Sequence, residues 1–354
     1  MSVSIQFLNA HHGDAIFISV KLGLKTTRIL IDGGPPYTFK PRENGRRSDG
    51  DLKRLLDELR SAQVKIDLVI LTHVDDDHIG GLIKAFEAPG GLGDIADKVI
   101  FNSGRLIHEY FDASFEPEKD IKGNFNQSQN TSISQGNTLE EYLTHLGIWH
   151  RKIVKQGCVY NINDCVFTFL GPDENDLKKL LAKWEKDQGR QFTSAPNGDW
   201  AKTYEELLRN DAFEEDDSKT NGSSISFILQ CGALKFLFLG DAHPSTVISG
   251  LSSLEYTEEN PLRVELFKVA HHGSKGNTSV ELLKLVSTSM YVISTDGSRH
   301  GLPDKVTLAR IHKMAPNAEI HFNYGRVIEN IYTKDEACML GDKIQIISGE
   351  LKFG

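Results

Sequence analysis

The stretch Leu71-Thr72-His73-Val74-Asp75-Asp76-Asp77-His78-Ile79-Gly80-Gly81 constrains this chain more than any other. The mostly apolar run at 66–71 before it reads as a buried strand. Leu82, Ile83, Ala85 and Phe86 after it read as the first turns of a helix. Two imidazoles and three carboxylates therefore crowd one strand-to-helix turn. Like charges this close repel, and at a buried strand end they need a countercharge. Imidazole nitrogen and carboxylate oxygen are the ligands that divalent cations take, so one such ion, or two, supplies it. The alternative is a solvated acidic loop in which one aspartate caps the helix.

A chain of 354 residues can bury a large core, as one big domain or two. The formal net charge of −9 argues against a broad nucleic-acid-binding surface, but not against a small anionic substrate whose charge is met by bound metal. The amino terminus alternates like a half-buried strand and lacks the basic and apolar segments of a signal peptide. No run approaches the roughly 18 apolar residues of a membrane span, and a cytoplasmic location is expected. Cys158, Cys165, Cys231 and Cys338 lack metal-type spacing and are expected to be reduced, packed thiols.

In chain order, residues 3–8 and 15–20 are predicted strands joined at Asn9-Ala10-His11-His12-Gly13-Asp14. Residues 28–31 are a third, stopped at Asp32-Gly33-Gly34; a plain turn accounts for Asp32 as well as a site does. Residues 37–50 read as a surface loop. Leu52, Leu55, Leu56 and Leu59 share one face of a helix over 51–62. A helix at 79–87 and a strand at 98–101 follow, then a polar stretch at 120–138 that suggests a mobile loop, a helix at 139–146, and strands near 158–161 and 166–170. Residues 173–220 break the rhythm with two helical stretches and the acidic run Glu214-Glu215-Asp216-Asp217. They read as an inserted helical lid, the acidic run as a solvated helix end or loop. Strands at 225–229 and 234–239 end at Gly240-Asp241, and one at 263–270 ends at His271-His272-Gly273-Ser274. A helix at 279–286, a strand at 290–294, a loop with His300 and Asp304, a helix at 305–314 and strands near 318–322 and 344–347 complete the chain.

Four strands thus end in candidate site residues: Asp32, the 73–78 cluster, Asp241 and the histidine pair at 271–272. Strands of one sheet bring their ends to a common edge, where distant residues converge.

The 73–78 cluster resembles the His-x-His-x-Asp-His signature of the metallo-β-lactamase fold superfamily. Within it the chain is most similar to the metallo-hydrolase domain of the ComEC-type competence (DNA-uptake) proteins. The matching pieces are the 7–15 run with Gly13-Asp14, Leu30-Ile31-Asp32-Gly33-Gly34, residues 72–81, Asn221-Gly222-Ser223-Ser224, Phe238-Leu239-Gly240-Asp241, the 268–274 run and Val292-Ile293-Ser294. The resemblance implies a single α/β domain over 1–354, a four-layer αβ/βα metallo-β-lactamase sandwich with a helical insertion at 173–220. It implies two divalent metal ions, zinc or manganese. His73 and Asp75 would hold one; Asp77, His78 and His271 the other; Asp241 would bridge them. Asp32 and His272 would lie in the surrounding shell, with Asp32 orienting the cluster.

Two departures from the family pattern bear on chemistry. Asp75 stands where most of the superfamily has His, giving an oxygen-richer site friendlier to manganese or magnesium. The competence-type Tyr-Gly-His-Pro-His loop is replaced by His300-Gly301-Leu302-Pro303-Asp304, so that His300 or Asp304 would have to supply any group that loop provides. Two ions about 3.5–4 Å apart lower the pKa of a bridging water and clamp attacking and leaving oxygens. Asp77 would orient that nucleophile, and Ser274, Lys275 and Arg299 are available for phosphate oxygens. The resemblance favours a phosphodiester, either a nucleic acid or a small nucleotide or phospholipid-type diester. A lactone or carboxylic-ester hydrolase and a non-catalytic metal-binding scaffold are the alternatives. Oligomeric state has no signature in the sequence.

Overall fold

Alternation of apolar side chains along the first strands sets the architecture. β1 (Ser2–Phe7), β2 (Ile16–Leu22) and β3 (Lys25–Ile31) form an antiparallel meander, with Ile5, Ile18 and Ile29 on one face and Phe17 and Leu30 on the other. β4 (Leu68–Ile70) and β5 (Val99–Ile100) extend it in parallel. The second sheet comprises β6 (Val159–Ile162), β7 (Cys165–Gly171), β8 (Ser226–Cys231), β9 (Leu234–Phe238), β10 (Leu266–Lys268), β11 (Met290–Ile293), β12 (Glu319–Phe322) and β13 (Ile344–Ile346). It is antiparallel from β6 to β9 and parallel from β9 to β13. β14 (Glu350–Phe353) returns to pair antiparallel with β1, closing a six-stranded sheet of order β14-β1-β2-β3-β4-β5. The structure, a computed structural model, describes residues 1–40, 49–111, 132–184, 198–209 and 211–354, and the backbone of 42–43 and 46–47.

The sheets stack through an apolar layer that includes Ile18, Ile29, Ile70, Phe167, Phe227, Phe236 and Phe238. On the outer face of the first sheet lie α1 (Asp51–Ser61), α2 (Asp76–Glu87), α3 (Ser132–Leu146) and α4 (Glu174–Trp184), which bury Leu55, Leu82, Leu139 and Leu180. On the outer face of the second lie α5 (Pro244–Ser253) and α6 (Lys305–Met314), which bury Val247 and Leu308. The order helix, sheet, sheet, helix is the expected four-layer αβ/βα sandwich.

Several boundaries differ from the sequence reading, each for a physical reason. α2 starts at Asp76 rather than 79, because the acidic side chains of its first turn suit a helix N-terminus. Residues 132–138, expected in a loop, are the first half of α3, where Ile133 and Gln135 are buried; residues 120–131 lie outside the described residues. Of the predicted strand at 263–270, Leu266–Lys268 joins the second sheet, Arg263 belongs to a separate short strand Leu262–Arg263, and the backbone turns sharply beyond Lys268. β14 has only Leu351 and Phe353 as apolar residues, too faint an alternation to announce a strand. Cys165 and Cys231 are packed thiols as expected, Cys158 is half-buried, and Cys338 is exposed. Residues 185–197 and 210 of the expected insertion lie outside the described residues; the remainder holds α4, Tyr204–Arg209 and Lys219–Gly222.

α6 carries His312, neither of whose ring nitrogens has a hydrogen-bond partner, 5.7 Å from the Tyr204 ring. Burial, aided by the charge of Lys343, pulls its pKa from 6.5 down to about 4. Between those values the unfolded chain binds a proton that the folded chain refuses. The stability His312 carries is therefore complete above pH 6.5 and lost as the pH falls through about 4. In His312→Leu, the loss of stability between neutral pH and about pH 4 is expected to shrink by roughly 2–3 kcal/mol. Urea unfolding of both proteins at the two pH values tests this, and an unchanged loss would refute it.

Candidate metal centre

Parallel pairing delivers the site. β3 and β4 run side by side and end in Asp32 and in Thr72-His73; β9 and β10 do the same in the facing sheet, ending in Gly240-Asp241 and His271-His272. The backbone bends hard here. Among the described residues eight non-glycines have positive φ, and His11, Asp32, His271, His272 and His300 are five of them. Gly13 is needed for close approach: a Cβ there would lie 2.0 Å from the Asp77 carbonyl oxygen, which accepts from the Asp14 N–H.

Asp241 is the centre of the arrangement. Its Oδ2 is 3.7 Å from Nε2 of both His73 and His271, and His73 Nε2 is also 3.7 Å from Asp75 Oδ2. Its Oδ1 is 3.5 Å from His78 Nε2. His272 Nε2 faces Asp77 Oδ2 at 3.7 Å. One carboxylate thus has an oxygen toward each of two histidine–aspartate sets. Asp14, His78, Asp241 and His272 each offer a ligand atom, all within 4.8 Å of one another, and all four residues are buried.

The outward nitrogens fix the rings. His78 Nδ1–H donates to Asp32 Oδ2 at 2.8 Å, and Asp32 also accepts from the Thr72 N–H and hydroxyl. Because the Thr72 hydroxyl proton is committed to Asp32, its oxygen is left to accept from His73 Nδ1–H at 3.1 Å. His272 Nδ1–H donates to the Ser294 carbonyl at 2.8 Å, and His271 Nδ1–H to Asn277 Oδ1 at 2.9 Å. Every Nδ1 is thereby spoken for, and each Nε2 lone pair turns inward. Nε2 of His73, His78 and His272 and Oδ1 of Asp241 are buried without a hydrogen-bond partner. Buried polar atoms are seldom left so, and a convergent set of them is what a cation site requires.

Electrostatics agree. Burial works to raise the Asp241 pKa, but the charges of His78, His271 and His272 hold it well below the usual carboxylate range. Burial likewise opposes, and the closeness and charge of His272 with the charge of His78 outweigh it, at Asp77, which is also held low. His78 rises well above 6.5 because Asp241 and Asp32 overcome its burial; His271 rises to about 10 because Asp241 and Asp216 overcome its own. Burial, then the charge of His78, keeps His73 low. Protons on His78 and His271 are thus the competitors of a cation, whose uptake releases them.

Of the residues singled out in the sequence, His73, Asp75, Asp77, His78, Asp241, His271, His272 and Asp32 come together in this cluster. His272, expected in the surrounding shell, stands as close to the cluster as His271, the expected ligand: each has its Nε2 3.7 Å from a carboxylate oxygen. Ser274 closes the next turn, accepting from the Gly276 N–H. Lys275 is exposed, with its backbone held by Asp304 and Arg310. The Asp304 carboxylate is thereby occupied, while His300 is exposed and feels the charges of Asp77, His271 and His272. Arg299 reaches His12, its Nη1 3.2 Å from Nε2.

Four contributors lay outside the sequence reading of the site. Asp216, in the run expected to be solvated, accepts from Asn221 at 2.7 Å and Asn277 at 3.1 Å and lies 3.6 Å from His271 Nδ1; its neighbour Glu215 accepts from Ser245 at the start of α5. Thr220 and Ser132 donate to the two oxygens of Asp75. Lys268, 1% exposed, donates to Asp14 at 2.7 Å. A lone lysine in an apolar strand was the only local signal for that last pair.

Asp32→Asn and Asp216→Asn each leave the ligand atoms in place but loosen a ring. Each is expected to weaken divalent-metal affinity about 10–100-fold. Competition with a chromophoric chelator measures this, and unchanged affinity in both would remove their assigned part.

A family model described as "Metallo-beta-lactamase superfamily" matches residues 12–129. No curated protein matches the chain. Solved structures similar to it include the metallo-beta-lactamase fold protein YhfI from Bacillus subtilis, at 11% identity and a TM-score of 0.40 over 99% of this chain and 98% of that one. An isothiocyanate hydrolase from Delia radicum gut bacteria is 15% identical, with a TM-score of 0.41 over 100% and 98%. CmlA, a diiron β-hydroxylase from Streptomyces venezuelae, is 12% identical with a TM-score of 0.39 over 99% of this chain and 54% of that one. The family match and the layered α/β architecture together support the metallo-β-lactamase superfamily fold for this chain.

Proposed function

We propose that this chain is a two-metal hydrolase acting on a phosphodiester, of the ComEC-type branch, and that it works in the cytoplasm as a single domain with 173–220 as an insertion beside the cleft. The observation that carries the reading is the Asp241 carboxylate, one oxygen toward His73 and His271 and the other toward His78. His73, Asp75 and His271 would hold one ion and Asp77, His78 and His272 the other, with Asp241 shared. This exchanges the places that the sequence reading gave the two adjacent histidines, and the 3.7 Å approaches of His271 to Asp241 and of His272 to Asp77 favour the exchange. Three carboxylates among seven ligands suit manganese as well as zinc.

A pair of divalent ions bound there supplies Lewis acidity and activates water at neutral pH. The protein's own groups do the rest. Asp77, held ionised, keeps one oxygen near His272 and orients the attacking water with its carboxylate. Asp32, Asn277 and the Ser294 carbonyl hold three of the imidazoles in the tautomer that points Nε2 inward. His300, on an exposed turn and under the influence of the Asp77 charge, is the group we assign to the proton of the leaving oxygen. To Arg299, Ser274 and Lys275 we assign the holding of substrate oxygens, and Asp216 and Thr220 of the insertion reach the cluster from the side.

The decisive experiment is elemental analysis joined to a screen of the metal-loaded protein against bis-aryl phosphate, linear DNA and RNA, small nucleotide diesters, aryl esters and lactones. Two metal equivalents and diester cleavage are expected of the wild type. Asp241→Asn is expected to retain at most one equivalent and to lose at least about a hundredfold in rate. Cleavage of aryl esters or lactones without diesters would transfer the assignment to an ester or lactone hydrolase, and absence of bound metal would leave a scaffold.

A further inference from the structure

Beside the metal cluster lies a chain of three side chains that the reaction outlined above does not use in full. Arg299 Nη1 is 3.2 Å from His12 Nε2, and the other ring nitrogen, Nδ1, is 3.1 Å from the Tyr37 hydroxyl. A guanidinium only donates, so His12 Nε2 must accept and the ring proton must sit on Nδ1. That proton goes to the Tyr37 oxygen, and the phenol's own hydrogen is turned away from His12. Neither residue is free to swing. His12 is 6% exposed, and the Tyr37 ring is flanked edge-on by His11 at 4.8 Å, itself 3.3 Å from Asp296.

The chain of three is adjacent to the ligands. His12 precedes Gly13, which sits against the Asp77 carbonyl. Tyr37 follows Pro36, and a Cβ on Gly80 in the first turns of α2 would strike the Pro36 ring at 2.5 Å. The charges of Asp77 and Asp296 act on both His12 and Tyr37. What the three have left for a ligand is mainly donors: the remaining N–H groups of an exposed guanidinium and one phenolic hydrogen, against a single spare lone pair on the Tyr37 oxygen. Beside a cluster rich in carboxylates, a cationic patch dominated by donors favours one class of ligand, an anionic oxygen.

We propose that Arg299, His12 and Tyr37 form an anion-specific substrate subsite, in which Arg299 and Tyr37 donate to the non-bridging oxygens of a phosphodiester while His12 fixes the direction of both. This rests on the phosphodiester reading and sharpens it, because the subsite selects for charge and so against neutral esters and lactones. His12 is a positioning residue; Arg299 and Tyr37 touch substrate.

The test uses the metal-loaded full chain and a binding readout apart from turnover, calorimetric titration with diphenyl phosphate, which carries one negative charge. Arg299→Met is expected to weaken binding about tenfold or more. Arg299→Lys is expected to recover only part, since an ammonium lacks the fork that holds His12 with one arm and an anion with another. Tyr37→Phe is expected to weaken binding severalfold, and nitrogen NMR of His12 to report the Nδ1–H tautomer. Metal content and melting temperature should match the wild type in all three variants. Undiminished binding in Arg299→Met and Tyr37→Phe, an Nε2–H tautomer, or binding lost only together with metal would each overturn the subsite. A wild type that binds diphenyl phosphate through these residues yet cleaves no diester sinks the phosphodiesterase reading and leaves the subsite standing. Diester cleavage unimpaired in both variants does the reverse.

Discussion

A carboxylate that is 2% exposed and faces imidazoles on both sides is the constraint around which the structure is arranged. An isolated buried charge is prohibitively unfavourable, so Asp241 persists only where opposite charge meets it from several directions. Those directions come from different parts of the chain: His78 from α2, His73 from the turn before it and His271 from the turn after β10, while Asp241 itself ends β9. Two sheets must stack closely enough to bring these ends together, which is the task of the phenylalanine layer between them. The strain of five positive-φ residues at one edge is sustained by the same packing.

The pattern of apolar residues made most of this legible. Leu52, Leu55, Leu56 and Leu59 announced α1, and the short apolar runs ending in polar residues announced β3, β4, β9 and β10 together with their C-terminal cargo. α6 falls where its pattern put it, at Lys305–Met314. The edge strand β14 stayed hidden because a strand on the margin of a sheet needs little apolar character, and the first half of α3 because Ser, Gly and Asn carry weak helix signals that packing overrides.

What surrounds the centre was harder to see, for a different reason. Asp216 looks in sequence like any member of an acidic run; only its position across from Asn221 and Asn277 separates it from Asp217. Tyr37 reads as a loop residue until the turn at Pro36–Thr38 is seated on α2. His271 and His272 are equivalent in a one-dimensional pattern. Two successive positive-φ residues turn their rings apart, with planes 69° from parallel, and so give each a different carboxylate. Side chains that orient other side chains leave no periodicity, so tertiary contact is their only signature.

That division also bears on specificity. A bridged cluster of histidines and aspartates can hydrolyse many kinds of bond, so its ligands do not choose the substrate. Choice falls to groups that touch what the ions do not, and here they lie on separate loops: 9–14, 35–39, 211–221 and 296–304. The loops are tied to one another as well as to the sheets. The His11 carbonyl accepts from the Asp296 N–H, the Tyr324 hydroxyl accepts from the His11 N–H, and Arg310 joins Asp211 to the Lys275 carbonyl. A substitution in one loop therefore changes the aim of donors on another while the cluster itself is untouched. Drift in what the chain acts upon would accordingly be expected in these loops first, with the Asp241 arrangement carried along unchanged.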